Sequence, residues 1–113
     1  MRAEALKGHL DGLLLAVLER GPAHGYALIE ALRSASEGTF DLPTGTVYPA
    51  LHRLERAGLV RGVWAIESGR RRRVYELTES GAGKLVEQRA GWQRFASAVS
   101  AVMEGGAQWA APA

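Results

Sequence analysis

The side chains best suited to chemistry in this 113-residue chain are four consecutive arginines, Arg70 to Arg73. They lie in a basic window: residues 44–73 hold seven Lys or Arg against two Asp or Glu, a balance of +5, whereas residues 1–43 carry −2 and residues 74–113 carry −1. Guanidinium groups bind phosphates through planar donors and release condensed counterions. A solvated charged surface is the alternative, but four adjacent like charges repel one another and favour a polyanionic partner. The window therefore predicts binding of nucleic acid.

Patterns typical of catalysis or metal binding are missing from the sequence. Without cysteine, the chain cannot form disulfides, thiolate nucleophiles or Cys-type zinc and iron–sulfur sites, which fits a reducing cytosol. The three histidines, His9, His24 and His52, fall on three different predicted helices with no paired ligand spacing. No Ser/His/Asp set or carboxylate pair marks a cleft. We expect no enzyme activity, no cofactor and no bound metal.

Apolar spacing and helix-stop signals predict three helices in the first half of the chain. Leucines recur at helical spacing from Leu6 until Gly21-Pro22 ends the first helix. A second helix is predicted over about Gly25 to Ser34. A third begins near Pro43-Thr44 and runs to Ala57, with Gly58 as its cap.

The period changes after the third helix. Leu59 to Ile66 and Arg72 to Leu77 carry β-branched and aromatic residues, and residues 67–70 between them are turn formers, so we predict a two-stranded hairpin. Thr78 is an N-cap candidate for a long helix from about Glu79 to Met103.

This order predicts a mainly α fold with a small β-hairpin, namely a winged helix-turn-helix followed by a long C-terminal helix. The predicted domains are a DNA-binding winged helix-turn-helix over 1–78, a dimerisation helix over 79–104 and a flexible tail over 105–113. In a winged helix-turn-helix the third helix enters the major groove of double-stranded DNA, and the hairpin, or wing, lies along the adjacent backbone.

The third helix has the polar outer face that this role requires. With Val47, Leu51 and Leu54 turned inward, we expect the opposite face to carry Thr46, Pro49, Ala50, His52, Arg53 and Arg56. Thr and Arg side chains can bond base edges or phosphates, whereas Tyr48 and His52 are expected at the backbone. Pro49 lacks a backbone donor, so either the helix starts later than Thr44 or its first turn is distorted.

The last helix carries a heptad-spaced apolar seam. Its members are Leu85, Gln88, Trp92, Phe95, Val99 and Val102. We predict that the first helix, through Leu6 and Leu10, and a second subunit cover this seam and give a C2 homodimer. The alternative is that the seam packs only on its own domain.

Four ordered motifs resemble those of PadR-type transcriptional regulators, over about residues 6 to 103. The motifs are Gly21-Pro22-Ala23-His24-Gly25-Tyr26, Thr44-Gly45-Thr46-Val47-Tyr48-Pro49-Ala50-Leu51-His52-Arg53-Leu54-Glu55, Gly58-Leu59-Val60 and Arg73-Val74-Tyr75-Glu76-Leu77-Thr78-Glu79-Ser80-Gly81. The resemblance implies a homodimeric repressor that binds an inverted repeat in a promoter. It is to the short subgroup, which has one helix after the wing.

The resemblance also implies roles for individual residues. It assigns Thr46, Tyr48, Pro49 and Arg53 to the DNA, with Tyr26 and the wing arginines supporting phosphate contact. Together with the pattern analysis, the candidate DNA-binding residues are Tyr26, Thr44, Thr46, Tyr48, Pro49, His52, Arg53, Arg70, Arg71, Arg72 and Arg73.

Trp92 and Phe95 are candidates for binding an effector. In short PadR-like regulators that sense planar aromatic drugs, a Trp of this helix lines a cavity at the dimer centre, and Trp92 is similarly placed. The alternative is that an aromatic residue at a heptad position is simply core. Trp64 is expected to be buried in the wing sheet.

The longest apolar run, Leu13 to Leu18, is far shorter than the roughly 20 residues that span a bilayer, so we expect no signal peptide, no membrane anchor and a cytoplasmic location.

One alternative function is a winged-helix module that docks another protein, which would not need a basic wing. Another is a small-molecule-binding protein that is indifferent to DNA.

Overall fold

The computed structural model describes Leu6 and residues 8–105 of the chain. In that part of the chain the elements follow one another as α1 Leu10–Glu19, β1 Ala23–His24, α2 Gly25–Ala35, α3 Thr44–Arg56, β2 Val60–Glu67, β3 Arg70–Leu77 and α4 Glu79–Met103. The antiparallel sheet has the strand order β1-β3-β2. This is the mainly α winged helix-turn-helix arrangement that the sequence predicts. We call α3 the reading helix and the β2–β3 hairpin, Val60–Leu77, the wing.

One apolar core holds the helices and the sheet together. The predicted inward residues of the reading helix, Val47, Leu51 and Leu54, are all buried. They meet buried side chains from every other helix and from the sheet, because an amphipathic helix is stable only when its apolar face is covered. These partners are Leu14, Leu15, Leu18, Leu28, Leu32, Val60, Tyr75 and Leu85.

The wing turn explains why the second strand, Arg70–Leu77, is longer than predicted. The first strand, Val60–Glu67, has its predicted length and is shifted by one residue toward the turn. Ser68 and Gly69 have φ of +51° and +75°, as a two-residue type I′ turn requires at both central positions. Glu67 therefore stands directly opposite Arg70, and pairing continues to Val60 opposite Leu77. The turn was predicted over 67–70, and the structure confirms it.

The long helix begins where it was predicted to begin. The Thr78 hydroxyl oxygen accepts a hydrogen bond from the Gly81 N–H at 3.0 Å, which confirms Thr78 as the N-cap. The same hydroxyl donates to the Gly58 carbonyl oxygen at 2.7 Å. The start of α4 is therefore fixed to the end of the reading helix.

Three local predictions need correction. The first helix starts at Leu10 rather than Leu6, since Gly8 has a left-handed φ of +88° that interrupts a helix. The short strand β1 was not predicted; Ala23 pairs with Tyr75 and extends the hairpin to three strands. Ala50, expected on the outer face of the reading helix, is 1% exposed. The reading helix packs against α2 and β2 as well as α1, so its buried stripe is wider than three residues.

The division into three domains remains a prediction. The helix predicted within 79–104 spans Glu79–Met103. Of the predicted tail, Gly105 is described, and residues 106–113 lie outside the described residues.

Candidate nucleic-acid interface

The reading helix exposes most of the side chains predicted to contact DNA. Thr44, Pro49, His52 and Arg53 are exposed, and Thr46 is half-buried. The helix is continuous through Pro49, so it neither starts late nor stops at the proline. Proline at this position costs one intrahelical hydrogen bond, to the Gly45 carbonyl. Gly45 and Pro49 are both exposed, so water can reach that carbonyl.

Two tyrosines meet where α2 begins beside the reading helix. The rings of Tyr26 and Tyr48 are edge-to-face, with centroids 6.2 Å apart. Tyr26 is 61% exposed and Tyr48 is half-buried. Burial raises the pKa of the Tyr48 phenol, the neighbouring Tyr26 raises it further, and Arg72 opposes the change. The Tyr48 hydroxyl is therefore held in its protonated form, which can donate a hydrogen bond to a phosphate oxygen.

Gly25 makes room for Tyr48. A Cβ added at Gly25 would collide with the Tyr48 ring. The side chain of His24, just before Gly25, accepts a hydrogen bond from the Ala27 N–H at 3.2 Å and caps α2. In the His-Gly-Tyr motif, His24 therefore caps α2, Gly25 leaves space for the Tyr48 ring, and Tyr26 contributes the second ring of the pair.

Arg53 is not free at the surface of the reading helix. Its guanidinium group donates to the Asp11 carboxylate of α1 in an ion pair. The Asp11 and Arg53 side chains are 36% and 55% exposed. The predicted DNA-contacting residue is therefore also a link between α1 and the reading helix.

The four wing arginines divide between the two faces of the sheet. Arg71 and Arg73 lie on the same face as Trp64, which stands opposite Arg73. Arg73 donates to the Glu55 carboxylate of the reading helix at 2.8 Å, and the same carboxylate accepts a hydrogen bond from the Gly62 N–H at 3.2 Å. Glu55 therefore joins the reading helix to both strands of the wing.

The expectation that Trp64 is buried was wrong. Trp64 is 56% exposed, and Ile66, Glu67, Arg70 and Arg71 beyond it are exposed too, because the far half of the wing is not covered by the core. The Arg71 guanidinium carbon lies 4.4 Å from the Trp64 ring centroid, and that of Arg73 lies 5.5 Å away. The stack could have been anticipated: a two-residue turn at Ser68-Gly69 puts residues 64 and 73 opposite each other.

The sequence reasoning also missed Asp11, Gly25 and Glu55. Asp11 and Arg53 are 42 residues apart, and no local pattern pairs them. Glu55 was quoted only as part of a motif, although a carboxylate among basic residues is itself a signal for an internal ion pair.

The seam of α4 is only partly covered within one chain. Leu85 is 2% exposed and Leu6 is 4% exposed, so both belong to the core of a single subunit. Leu10 and Gln88 are half-buried. The remaining members, Trp92, Phe95, Val99 and Val102, are exposed.

An open groove runs between α1 and α4 and has a volume of about 520 Å³. Trp92 and Phe95 line it, together with His9, Leu13 and Phe40. His9 meets the Trp92 ring edge-to-face at 5.5 Å, and the Trp92 and Phe95 centroids are 6.2 Å apart. The two candidate effector residues are therefore neighbours in one aromatic cluster.

The chain matches a known protein family over the region that contains the reading helix, the wing and the start of α4. The model of the transcriptional regulator PadR-like family matches residues 14–87, which is more than half of the chain. The chain belongs to the PadR-like family. Members of this family are DNA-binding regulators of transcription and not enzymes, as the sequence analysis expected.

Individual relatives and solved structures agree with this assignment. The chain is 38% identical over 76 residues to the transcriptional regulator Rv3488 of Mycobacterium tuberculosis, covering 67% of this chain and 68% of that protein. It is 34% identical over 82 residues to the transcriptional regulator YqjI of Escherichia coli, covering 73% of this chain but 38% of the relative. A PadR-family regulator from Eggerthella lenta superposes with a TM-score of 0.76 at 33% identity, covering 89% and 87% of the two chains. The PadR-like regulator from Bacillus cereus superposes with a TM-score of 0.79 at 26% identity, covering 89% of this chain and 97% of that chain.

No helix within the described part of the chain is long and apolar enough to cross a bilayer. Among Leu6 and residues 8–105, no three His, Asp or Glu side chains come together in a way that could hold a metal ion.

Proposed function

We propose that this PadR-like regulator is a cytoplasmic repressor that binds an inverted repeat in promoter DNA as a homodimer and is released by a planar aromatic effector. The observation that carries the DNA-binding part is the link through Glu55, which holds the arginine wing against the reading helix. Helix and wing are therefore linked directly through this carboxylate. A helix in the major groove and arginines on the adjacent phosphates would then bind together.

Within this surface the residues divide by chemistry. Thr44, Thr46 and Arg53 have side chains that can bond base edges or phosphates. Tyr26, Tyr48, Pro49 and His52 complete the proposed DNA-binding surface. Arg70, Arg71, Arg72 and Arg73 supply the electrostatic attraction that is independent of sequence. Thr46→Ala should therefore relax sequence preference, whereas Arg71→Ala should weaken binding to every duplex.

The exposed end of α4 supports the homodimer. Trp92, Phe95, Val99 and Val102 are 53%, 55%, 41% and 66% exposed on one side of the helix, a heptad-spaced apolar surface that a second copy would cover. A two-fold dimer would hold two reading helices about 34 Å apart, the spacing of successive major grooves. An inverted repeat matches that two-fold symmetry.

The groove beside Trp92 and Phe95 supports the effector. Its volume of about 520 Å³ lies within the range typical of small-molecule sites. Aromatic walls bind flat apolar cations and dyes by stacking, without strict polar specificity. We propose Trp92 and Phe95 as the stacking residues.

The DNA-binding proposal is tested by selecting genomic fragments that the purified protein retains at about 0.15 M salt and sequencing them. Enrichment of one palindromic motif supports the proposal, and a promoter–reporter carrying that motif shows whether transcription falls when the protein is present. Failure to retain any duplex, even in dilute buffer, would refute it.

The effector proposal is tested by titrating a planar cationic dye and following the dye's own fluorescence. Trp92→Ala should weaken binding, whereas Trp64→Ala, which removes a tryptophan from the wing, should not. Equal affinity of Trp92→Ala and the wild type would refute the stacking role.

A further inference from the structure

The outer half of the wing presents an aromatic residue and arginines on one face. The strand register places Trp64 opposite Arg73 and Ile66 opposite Arg71, so all four side chains share this face. Trp64 is 56% exposed and Ile66 is 78% exposed. Large apolar side chains this exposed beside cations are typical of a contact surface.

The two arginines on this face are held in different ways. Arg73 donates to the Glu55 carboxylate at 2.8 Å, so an ion pair holds its guanidinium group, which lies 5.5 Å from the Trp64 ring centroid. Arg71 instead lies over the Trp64 ring, with its guanidinium carbon 4.4 Å from the ring centroid. None of the ion pairs among the described residues includes Arg71.

Stacking uses the flat face of a guanidinium group and leaves its N–H edge unengaged. That edge is the part of arginine that binds a phosphate through two parallel hydrogen bonds. A flexible arginine loses side-chain entropy when it is immobilised on a ligand, and an arginine already ordered by a ring loses less.

We propose that Trp64 is a positioning residue for DNA binding: its ring orders Arg71 so that the guanidinium edge meets a backbone phosphate. This inference rests on the proposed DNA-binding function. The occupant of the wing face is the DNA backbone, since the face is cationic and lies at the far end of a hairpin tied to the reading helix through Glu55. Trp64 acts through Arg71 and reads no base.

The experiment measures affinity for the selected duplex by fluorescence anisotropy over a range of salt concentrations. Trp64→Ala should weaken binding by about two- to fivefold for each engaged wing, the factor expected from an exposed cation–π contact. The slope of log affinity against log salt should not change, because Arg71 still reaches its phosphate. Arg71→Ala should lower that slope by about one for each wing.

Conservative variants separate ordering from charge. Trp64→Phe keeps a ring under Arg71 and should recover most of the affinity. Arg71→Lys keeps the charge but loses the planar group, so it should weaken binding like Trp64→Ala with the salt slope retained.

A double-mutant cycle gives the decisive comparison. Adding Trp64→Ala to Arg71→Ala should cause no further loss, because the other arginine beside the ring, Arg73, is already held by Glu55. The Arg70 side chain points to the opposite face of the sheet. In the Arg70→Ala background, Trp64→Ala should therefore weaken DNA binding as much as it does in the wild type.

Two outcomes overturn the inference alone: wild-type affinity in Trp64→Ala, or an equal loss from Trp64→Ala in the Arg71→Ala and Arg70→Ala backgrounds. A wild-type protein that binds no duplex would overturn the proposed function and this inference with it. All variants are checked by thermal unfolding, and little change is expected because Trp64 is largely exposed.

Discussion

Asp11 of α1 forms an ion pair with Arg53 of the reading helix, so one helix touches both candidate sites of the molecule. Gly12, next to Asp11 on α1, and His9, the N-cap of α1, line the groove that also contains Trp92. A displacement of α1 at the groove would therefore move the partner of a predicted DNA-contacting side chain.

The ion pair predicts that Asp11 competes with DNA for Arg53. Asp11→Asn should increase DNA affinity by about two- to fivefold for each subunit, since an exposed ion pair of this kind contributes up to about 1 kcal/mol. The affinity is measured by anisotropy at fixed salt. Glu19→Gln is the matched control: it removes one negative charge from the same helix, at the pair with Arg89. Equal increases in both variants would mean that only the overall charge matters.

The close approach of Gly25 to the Tyr48 ring predicts that a larger residue at position 25 lowers stability. Gly25→Ala places a Cβ against the Tyr48 ring, so either the ring or α2 must shift, and overpacking of this kind costs about 1–3 kcal/mol of unfolding free energy. Thermal unfolding should show a clear fall in Tm. Gly45→Ala in the reading helix, where a Cβ meets nothing within 4 Å, should leave Tm equal or higher. A Gly25→Ala protein as stable as the wild type would contradict the close contact.

The fold was largely predictable because its signals are local. Helical periodicity, the N-cap at Thr78 and the Ser68-Gly69 turn each act within a few residues, and together they specify the order of elements. The strand β1 was not predictable in this way: Ala23–His24 is two residues long, too short for any alternation, and it exists only because β3 offers an edge to pair with.

The candidate site was predictable as a set of exposed side chains but not as a set of contacts. The spacing of Val47, Leu51 and Leu54 correctly predicted which way the reading helix faces. The partners of Arg53 and Arg73, Asp11 and Glu55, depend on how helices and sheet meet in space. The expectation for Trp64 was wrong because residue type predicts burial only where a neighbouring element covers the strand.

Tyr75 predicts a pH dependence of stability. Burial raises the pKa of its phenol above the ordinary value of 10.0, and the nearby Glu55 adds to the rise. The folded state therefore keeps the proton after the unfolded state has lost it, so this stability is complete below pH 10.0 and is lost as the pH rises through the folded-state pKa. Tyr75→Phe has no such loss. The Tm of Tyr75→Phe should lie below that of the wild type at about pH 8, and the difference should be smaller at about pH 11. A difference in Tm that stays constant would contradict the prediction.

The exposed seam of α4 predicts that one charge placed on it abolishes the dimer. Val99 and Val86 are both exposed valines of α4, at 41% and 67%, but Val86 lies on the opposite side of the helix from Val99. Val99→Glu would bury a carboxylate against apolar side chains of the second copy, and an unpaired buried charge costs several kcal/mol. Sedimentation equilibrium should therefore find a folded monomer for Val99→Glu and a dimer for Val86→Glu, with matching helical circular dichroism.

Because two half-sites must be bound together, Val99→Glu should also lose most of its affinity for the inverted repeat while retaining weak binding to a single half-site. A dimeric Val99→Glu protein would show that the subunits associate through another surface.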